Sequence, residues 1–346
     1  MSKLILLILI IALLSPCASA VAFDAPPVTG DAGELVPSDY ESFTDGLLSI
    51  LLDIIPIIQP SFAEALRCSL SIISVALLIA IVKGIHSTPQ HVISIVATLS
   101  ISMLLLGSSK AFIGLASDTV RQISDYGKLL LPVMSASLAA QGGAGTAIAL
   151  HTATVAIDAI LGSLISHIII PVVILFIFVS TAYSAVGEEL LKKVADFCKW
   201  LATWMLKTIL YVFTGYMAVT GVVSGSADAA ALKAAKLTIS GAVPVVGGIL
   251  SDASEAILVS ASLAKNAAGI YGLLAFISIA VLPFVKIGIH YLLLKVTTAT
   301  CGIFGIKSLT NLLKDYASAM GLLLGMTGAV SLLMMISTVC FMRGIR

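Results

Sequence analysis

The sequence predicts an all-α, polytopic integral membrane protein, with about seven transmembrane helices plus interfacial amphipathic helices. Three observations predict it. The 346 residues are 59% hydrophobic and 11% charged, where soluble domains carry about 25% charged residues. Mean hydropathy is +1.12, more apolar surface than a water-soluble fold of this length can hide, and lipid is the solvent that accepts it. The strand-like alternation over about ten residues that marks an outer-membrane barrel is missing.

The elements follow in chain order. Lys3 precedes the apolar run Leu4 to Leu14, and Ala18-Ser19-Ala20 closes it. A basic start, a short apolar core and an A-x-A end read as a signal peptide over residues 1–20, cleaved after Ala20. The alternative is an uncleaved anchor, although the run is short for a span. Lipoprotein processing at Cys17 is disfavoured because Pro16 stands where such sites want a small residue. Residues 21–66 form an acidic extracytoplasmic arm, with Asp24, Asp31, Glu34, Asp39, Glu41, Asp45, Asp53 and Glu64 and no Lys or Arg. Cytoplasmic flanks normally carry the basic excess, so this arm belongs outside. From Leu47 to Ile58 it turns apolar and is expected on the membrane surface.

Residues 67–346 form the polytopic membrane domain. Its spans are read between charged stops: Cys68–Val82, Val92–Ser109, Ile168–Gly187, Thr208–Gly225, Ala267–Val285, Ile287–Gly305 and Ala319–Phe341. The fifth and sixth leave almost no loop and predict a tight hairpin around Lys286. Seven spans starting outside put Lys193 and Arg343 in the cytoplasm, with Ser38 and Ser251 outside; Lys/Arg counts over the loops are nearly balanced. Between Glu188 and Lys207, Leu190, Leu191, Val194, Phe197, Leu201 and Met205 recur at helical spacing, with Glu188, Glu189, Lys192, Lys193, Asp196 and Lys199 on the other face. Glu188/Lys192 and Glu189/Lys193 are well-oriented i,i+4 pairs. Trp200 and Trp204, the two tryptophans, sit one turn apart as interface anchors, so this stretch reads as a surface helix.

Two less apolar segments, 110–167 and 226–266, are placed on the outer side, along the interface or re-entrant. Each holds a proline in an apolar setting, Pro132 and Pro244. The first spans of three successive units would start at 68, 168 and 267, a period near 100. Ser124-Asp125-Tyr126 also echoes Lys314-Asp315-Tyr316. Repeats are common in transport folds, and chance likeness among apolar segments is the competing reading.

Hydrolase, metalloprotease and nucleotide-loop motifs are absent, so no catalytic, cofactor-binding or metal-binding residue is expected, and the chain is not expected to be an enzyme. The five cysteines form no CxxC pair. No Lys/Arg run is dense enough for nucleic acid; the expected contacts are lipid bilayer and protein.

Some residues still invite a role. His151, Thr154, Asp158, Gly162 and Ser166 share a helical face, which would line a hydrated path or be the wet side of an interfacial helix. Lys295 lies midway in a span and should face protein, a cavity or a carboxylate. Gly321, Gly325 and Gly328 permit close helix packing. The densest pattern runs from Lys233 and Lys236 through Ile239-Ser240 and Val243-Pro-Val-Val-Gly-Gly248 to Leu250-Ser251-Asp252-Ala253. Pro244 would stop one helix, Gly247-Gly248 would turn the chain, and Ser251 or Asp252 would cap the next helix.

That run, with Lys265-Asn266, Gly269, Pro283 and Lys286, resembles the stage III sporulation protein AE family. The resemblance covers most of the chain and is most specific over 233–286. It implies a membrane subunit of a multi-protein channel complex in the mother-cell membrane around the engulfed forespore. Other membrane proteins of that complex and a forespore membrane protein are the implied partners. The implied role is forespore development after engulfment, with no catalytic residue carried over. A self-sufficient small-molecule or ion transporter is the alternative, motivated by Asp158, Lys295 and the repeat.

Overall fold

The computed structural model describes residues 25–28, 31–37, 43–85, 90–141, 143–242 and 247–343, with side-chain surroundings for these except 31, 83–91, 94, 214, 217–265 and 343. The predicted signal peptide therefore lies outside the described residues.

Apart from one turn at Asp31–Glu34, the chain forms long helices: α1 (Phe43–Ile85), α2 (Gln90–Ala140), α3 (Ala144–Leu164), a π-helical turn (Ile165–Ile169), α4 (Ile170–Val186), α5 (Glu189–Ala242), α6 (Gly247–Ile303) and α7 (Lys307–Arg343). No strand occurs among the described residues. Among the described residues, five stretches are long and apolar enough to cross a membrane: Phe43–Val82, Ile95–Ala140, Ala144–Val186, Asn266–Ile303 and Lys307–Met342. Each has between 36 and 46 residues. A hydrocarbon core needs about 20, so these rods project beyond it or tilt.

The seven spans expected from the sequence are not reached among the described residues, where five such stretches stand. The predicted hairpin at Lys286 is absent, because α6 runs unbroken from Gly247 to Ile303. The physical reason is local. Val285-Lys286-Ile287 contains no turn former, lysine is a good helix residue, and its ammonium can leave the apolar layer sideways. Pro283 sits inside the same helix, and Pro132 sits inside α2. Neighbouring helices can satisfy the carbonyls that such prolines free. Residues 110–140 likewise continue α2, and 144–186 is helical throughout, so neither Lys110 nor Ile168 marks a helix end. The stretch 188–207 is no separate surface helix but the first part of α5. It turns Ala195, Cys198, Ala202 and Leu206 inward and leaves Leu190, Phe197, Trp200 and Trp204 exposed. Three of the four inward residues are small, and the exposed side mixes large apolar residues with Lys192, Lys193, Asp196 and Lys199.

Side-chain contacts set the register. α2 runs antiparallel to the α3–α4 unit: Thr98 donates to the Ser184 carbonyl, Ser124 meets Asp158, and Ser135 meets His151. α5 runs parallel to α7, with Lys199 on Ser318 and Leu206 over Gly325. α6 runs antiparallel to α7, with Tyr291 over Gly321 and Phe284 over Gly328. The glycine stripe on α7 faces both neighbours, but at ordinary side-chain contact distance and without the close backbone approach its spacing predicted. Gly187 (φ 81°) and Gly305 (φ 69°) turn the chain in the left-handed conformation that only glycine adopts cheaply.

α7 is the hub. It packs against α2, α3, α4, α5 and α6, and buries residues on every side, from Leu309 and Tyr316 through Met326 and Val330 to Phe341. α1 lies at the periphery, with Leu48, Leu52, Leu70 and Leu78 more than half exposed. In this register the Gly187 and Gly305 turns share one end of the bundle, while Arg343 lies at the other. Losing the hairpin therefore reverses α7, and Lys193 and Arg343 do not share a side as the seven-span reading required. Single cysteines at 193 and 343, probed on intact cells with an impermeant thiol reagent in a cysteine-free background, should give opposite labelling. Equal labelling at both would contradict the reversed α7.

Candidate functional site

The residues singled out above separate into three places. The first is a polar seam. Asp158, 5% exposed, accepts a 2.9 Å hydrogen bond from Ser124. Thr154 and Ser337 share a 2.6 Å hydrogen bond that ties α3 to α7. His151 Nδ1 lies 3.0 Å from Ser135 Oγ. The face holding His151, Thr154 and Asp158 is therefore packed against α2 and α7 and is not the wet side of a surface helix. Ser166 does not join it and is exposed. The π-helical turn explains the split: buried positions Leu161, Ile165, Ile169 and Val173 fall every fourth residue, wider than α-helical spacing, so the face drifts around the rod. Hydrogen bonds of this kind between membrane helices contribute about 0.6–2 kcal/mol each, which suits a structural role.

The second place is a groove of about 400 Å³ between α5, α6 and α7. Its lining includes Lys199, Lys207 and Lys295, with Thr203 and Ser318 as hydroxyls and no carboxylate. Lys199 Nζ donates to Ser318 Oγ at 3.0 Å. Lys295 Nζ lies 5.5 Å from the centre of the Tyr291 ring, within cation–π range. Gly321 and Gly325 border the same groove, along with Leu206, Leu210 and Leu322. Lys295 thus borders a groove, one of the surroundings the sequence reading required, although in the unbroken α6 it lies towards the C-terminal end and not midway in a span. The nearest acidic influence is on the Lys199 side, where Asp196 and Asp315 stand close enough for their charges to interact. Outside the groove on α5, Trp200 and Trp204 stack with centroids 6.0 Å apart and are exposed.

The third place is the α5–α6 joint. Lys233 and Lys236 lie on α5; Gly247, Gly248 and Asp252 lie on the first turns of α6. Pro244, in the intervening 243–246, falls outside the described residues, as do the side-chain surroundings of the other five. Gly247 and Gly248 are helical, so the turn expected at these two glycines is not formed there, and residues 243–246 lie outside the described residues.

Sequence reading noticed Lys295 and the α7 glycines but not Lys199 and Lys207 as their companions. Lys199, Thr203 and Lys207 fall at i, i+4 and i+8, one helical face, which was the available signal. Among the described residues, no three His, Cys, Asp or Glu side chains converge as a metal-ion set would.

Comparison with known proteins adds the following. The family model for stage III sporulation protein AE matches residues 46–344, the whole helical body. A curated relative, the stage III sporulation protein AE of Bacillus subtilis (strain 168), is 26% identical over 202 residues. That match takes in 58% of this chain and 51% of the relative, so the aligned part spans about half the relative's length. No solved structure matches.

Proposed function

Because the chain belongs to the stage III sporulation protein AE family, we propose that it is the polytopic membrane subunit of a channel complex linking mother cell and forespore. The observation that carries this reading is the extent of the family match, which runs over all the long helices. Its place is the mother-cell membrane around the forespore, and its task is to sustain forespore development after engulfment. The partners are other membrane proteins of the complex and a protein of the forespore membrane. The chain acts by assembly and has no catalytic step. The exposed apolar face of α1 and the acidic residues preceding it are the surfaces such partners would meet.

The alternative, a self-sufficient transporter, leaned on Asp158, Lys295 and the internal repeat. Asp158 is held by Ser124 in a packed seam, which fits bundle cohesion better than a hydrated path. Deleting the gene from the spore former that carries it is expected to stall sporulation after engulfment and to cut heat-resistant spore counts, with rescue by the full chain. Undiminished counts would remove the reading. Co-purification with other membrane proteins from sporulating cells supports it, whereas solute uptake by the chain alone in liposomes supports the transporter.

A further inference from the structure

We propose that the groove between α5, α6 and α7 binds the head group of an anionic phospholipid. Three exposed lysines, Lys199, Lys207 and Lys295, line one groove that has no carboxylate in its lining. Like charges brought together repel, and an anion between them removes that cost. Among the described residues none of the three lysines makes an ion pair within 4 Å. Each ammonium has three donors. Lys199 uses one on Ser318 and is partly offset by Asp315, so Lys207 and Lys295 supply most of the uncompensated charge.

The rest of the lining selects the kind of anion. Leu206, Leu210 and Leu322 give the groove an apolar wall, and Gly321 and Gly325 remove side-chain bulk from α7. A free phosphate would use the lysines alone. A phospholipid uses both parts, its phosphodiester on the cations and its first methylenes on the leucines. The stacked, exposed Trp200 and Trp204 lie on the same helix, and such amphipathic rings gather at head-group depth. Basic pockets between transmembrane helices are a recurrent setting for anionic lipid heads. The inference is independent of the proposed complex, since it concerns the isolated chain.

The test uses the full chain, purified in detergent and titrated with phosphatidylglycerol or phosphatidylcholine, with bound lipid counted by native mass spectrometry. Phosphatidylglycerol should bind with clear preference. The double variant Lys207→Gln, Lys295→Gln should lose affinity about thirtyfold, as two cations at a membrane surface predict. Lys207→Arg, Lys295→Arg should keep it, which separates charge from misfolding. Lys192→Gln, Lys193→Gln, charges outside the groove on the same helix, should leave it unchanged. An equal loss in that second pair would reduce the effect to general surface charge and overturn the site. Displacement of the lipid by millimolar inorganic phosphate or glycerol 3-phosphate would overturn the lipid assignment in favour of a soluble phosphate.

Discussion

Tyr316→Ala is expected to destabilise the helical bundle by about 3 kcal/mol, the scale set by truncating a large side chain in a packed core. Tyr316 is 1% exposed and sits on the hub helix α7. Its hydroxyl lies 3.4 Å from Thr181 on α4, and its ring end approaches Ser102 on α2. Lipid tails are as apolar as the side chains between helices, so transfer from water contributes little here. What alanine removes is packing, and the cavity it leaves touches three helices at once. Tyr316→Phe keeps the ring and loses only a long hydroxyl contact, so it should cost under about 1 kcal/mol. Titration of purified protein from mild detergent into dodecyl sulfate, followed by circular dichroism and tryptophan fluorescence, gives both values. Equal losses for the two variants would assign the effect to the hydroxyl and refute the packing argument.

Gly272→Val should be nearly as damaging, by the opposite mechanism. A Cβ placed on Gly272 would overlap the Leu130 side chain of α2. Leu130 is itself fully buried, so it cannot swing into open space. Valine adds two further methyls, and overpacking of this kind costs about 1–3 kcal/mol. The strain can be relieved by shortening the obstacle, so Gly272→Val combined with Leu130→Ala should recover part of the loss. Additive losses in the double variant, measured in the same titration, would show that the two residues do not press on each other. Gly269 belongs to the same contact line, where an added Cβ would overlap Met342 of α7. The Lys265 to Gly269 stretch that carried part of the family resemblance therefore ends where α6 approaches α7 closely.

These two residues illustrate what pattern reading reaches. Gly269 was singled out by resemblance and Gly321 by its four-residue spacing to Gly325; Gly269 is pressed against Met342, whereas Gly321 meets Tyr291 only at ordinary contact distance. Gly272 carried no comparable signal, and Tyr316 was noticed only within the Lys314-Asp315-Tyr316 echo, because any apolar helix offers many glycines and aromatics and only the partner helix says which are pressed. The charged stops misled for a related reason. Lys110 and Lys286 were read as helix ends, yet both side chains can reach polar surroundings from within a helix. On α2 the outer face changes from Val92, Val96, Leu99 and Met103 to Lys110, Asp118, Arg121, Asp125 and Lys128 without any break in the helix. The exposed Arg121–Asp125 and Lys128–Asp125 pairs there report a polar environment, not a loop, and contribute at most about 1 kcal/mol each.

The amino-acid sequence by itself determined the solvent and the class: so many apolar residues with so few charges admit an all-helical membrane body, because in lipid every backbone group must be satisfied within its own helix. It also carried the family, through a run of residues legible without any contact. Tertiary structure alone decided how many rods there are, which way α7 runs, and that Lys199 and Lys207 on one helix share a groove with Lys295 on another. Hydrophobicity is a sum over local residues and survives in one dimension. Register between helices depends on which side chain meets which across sequence separations of a hundred residues and more, and that information exists only when the helices are packed.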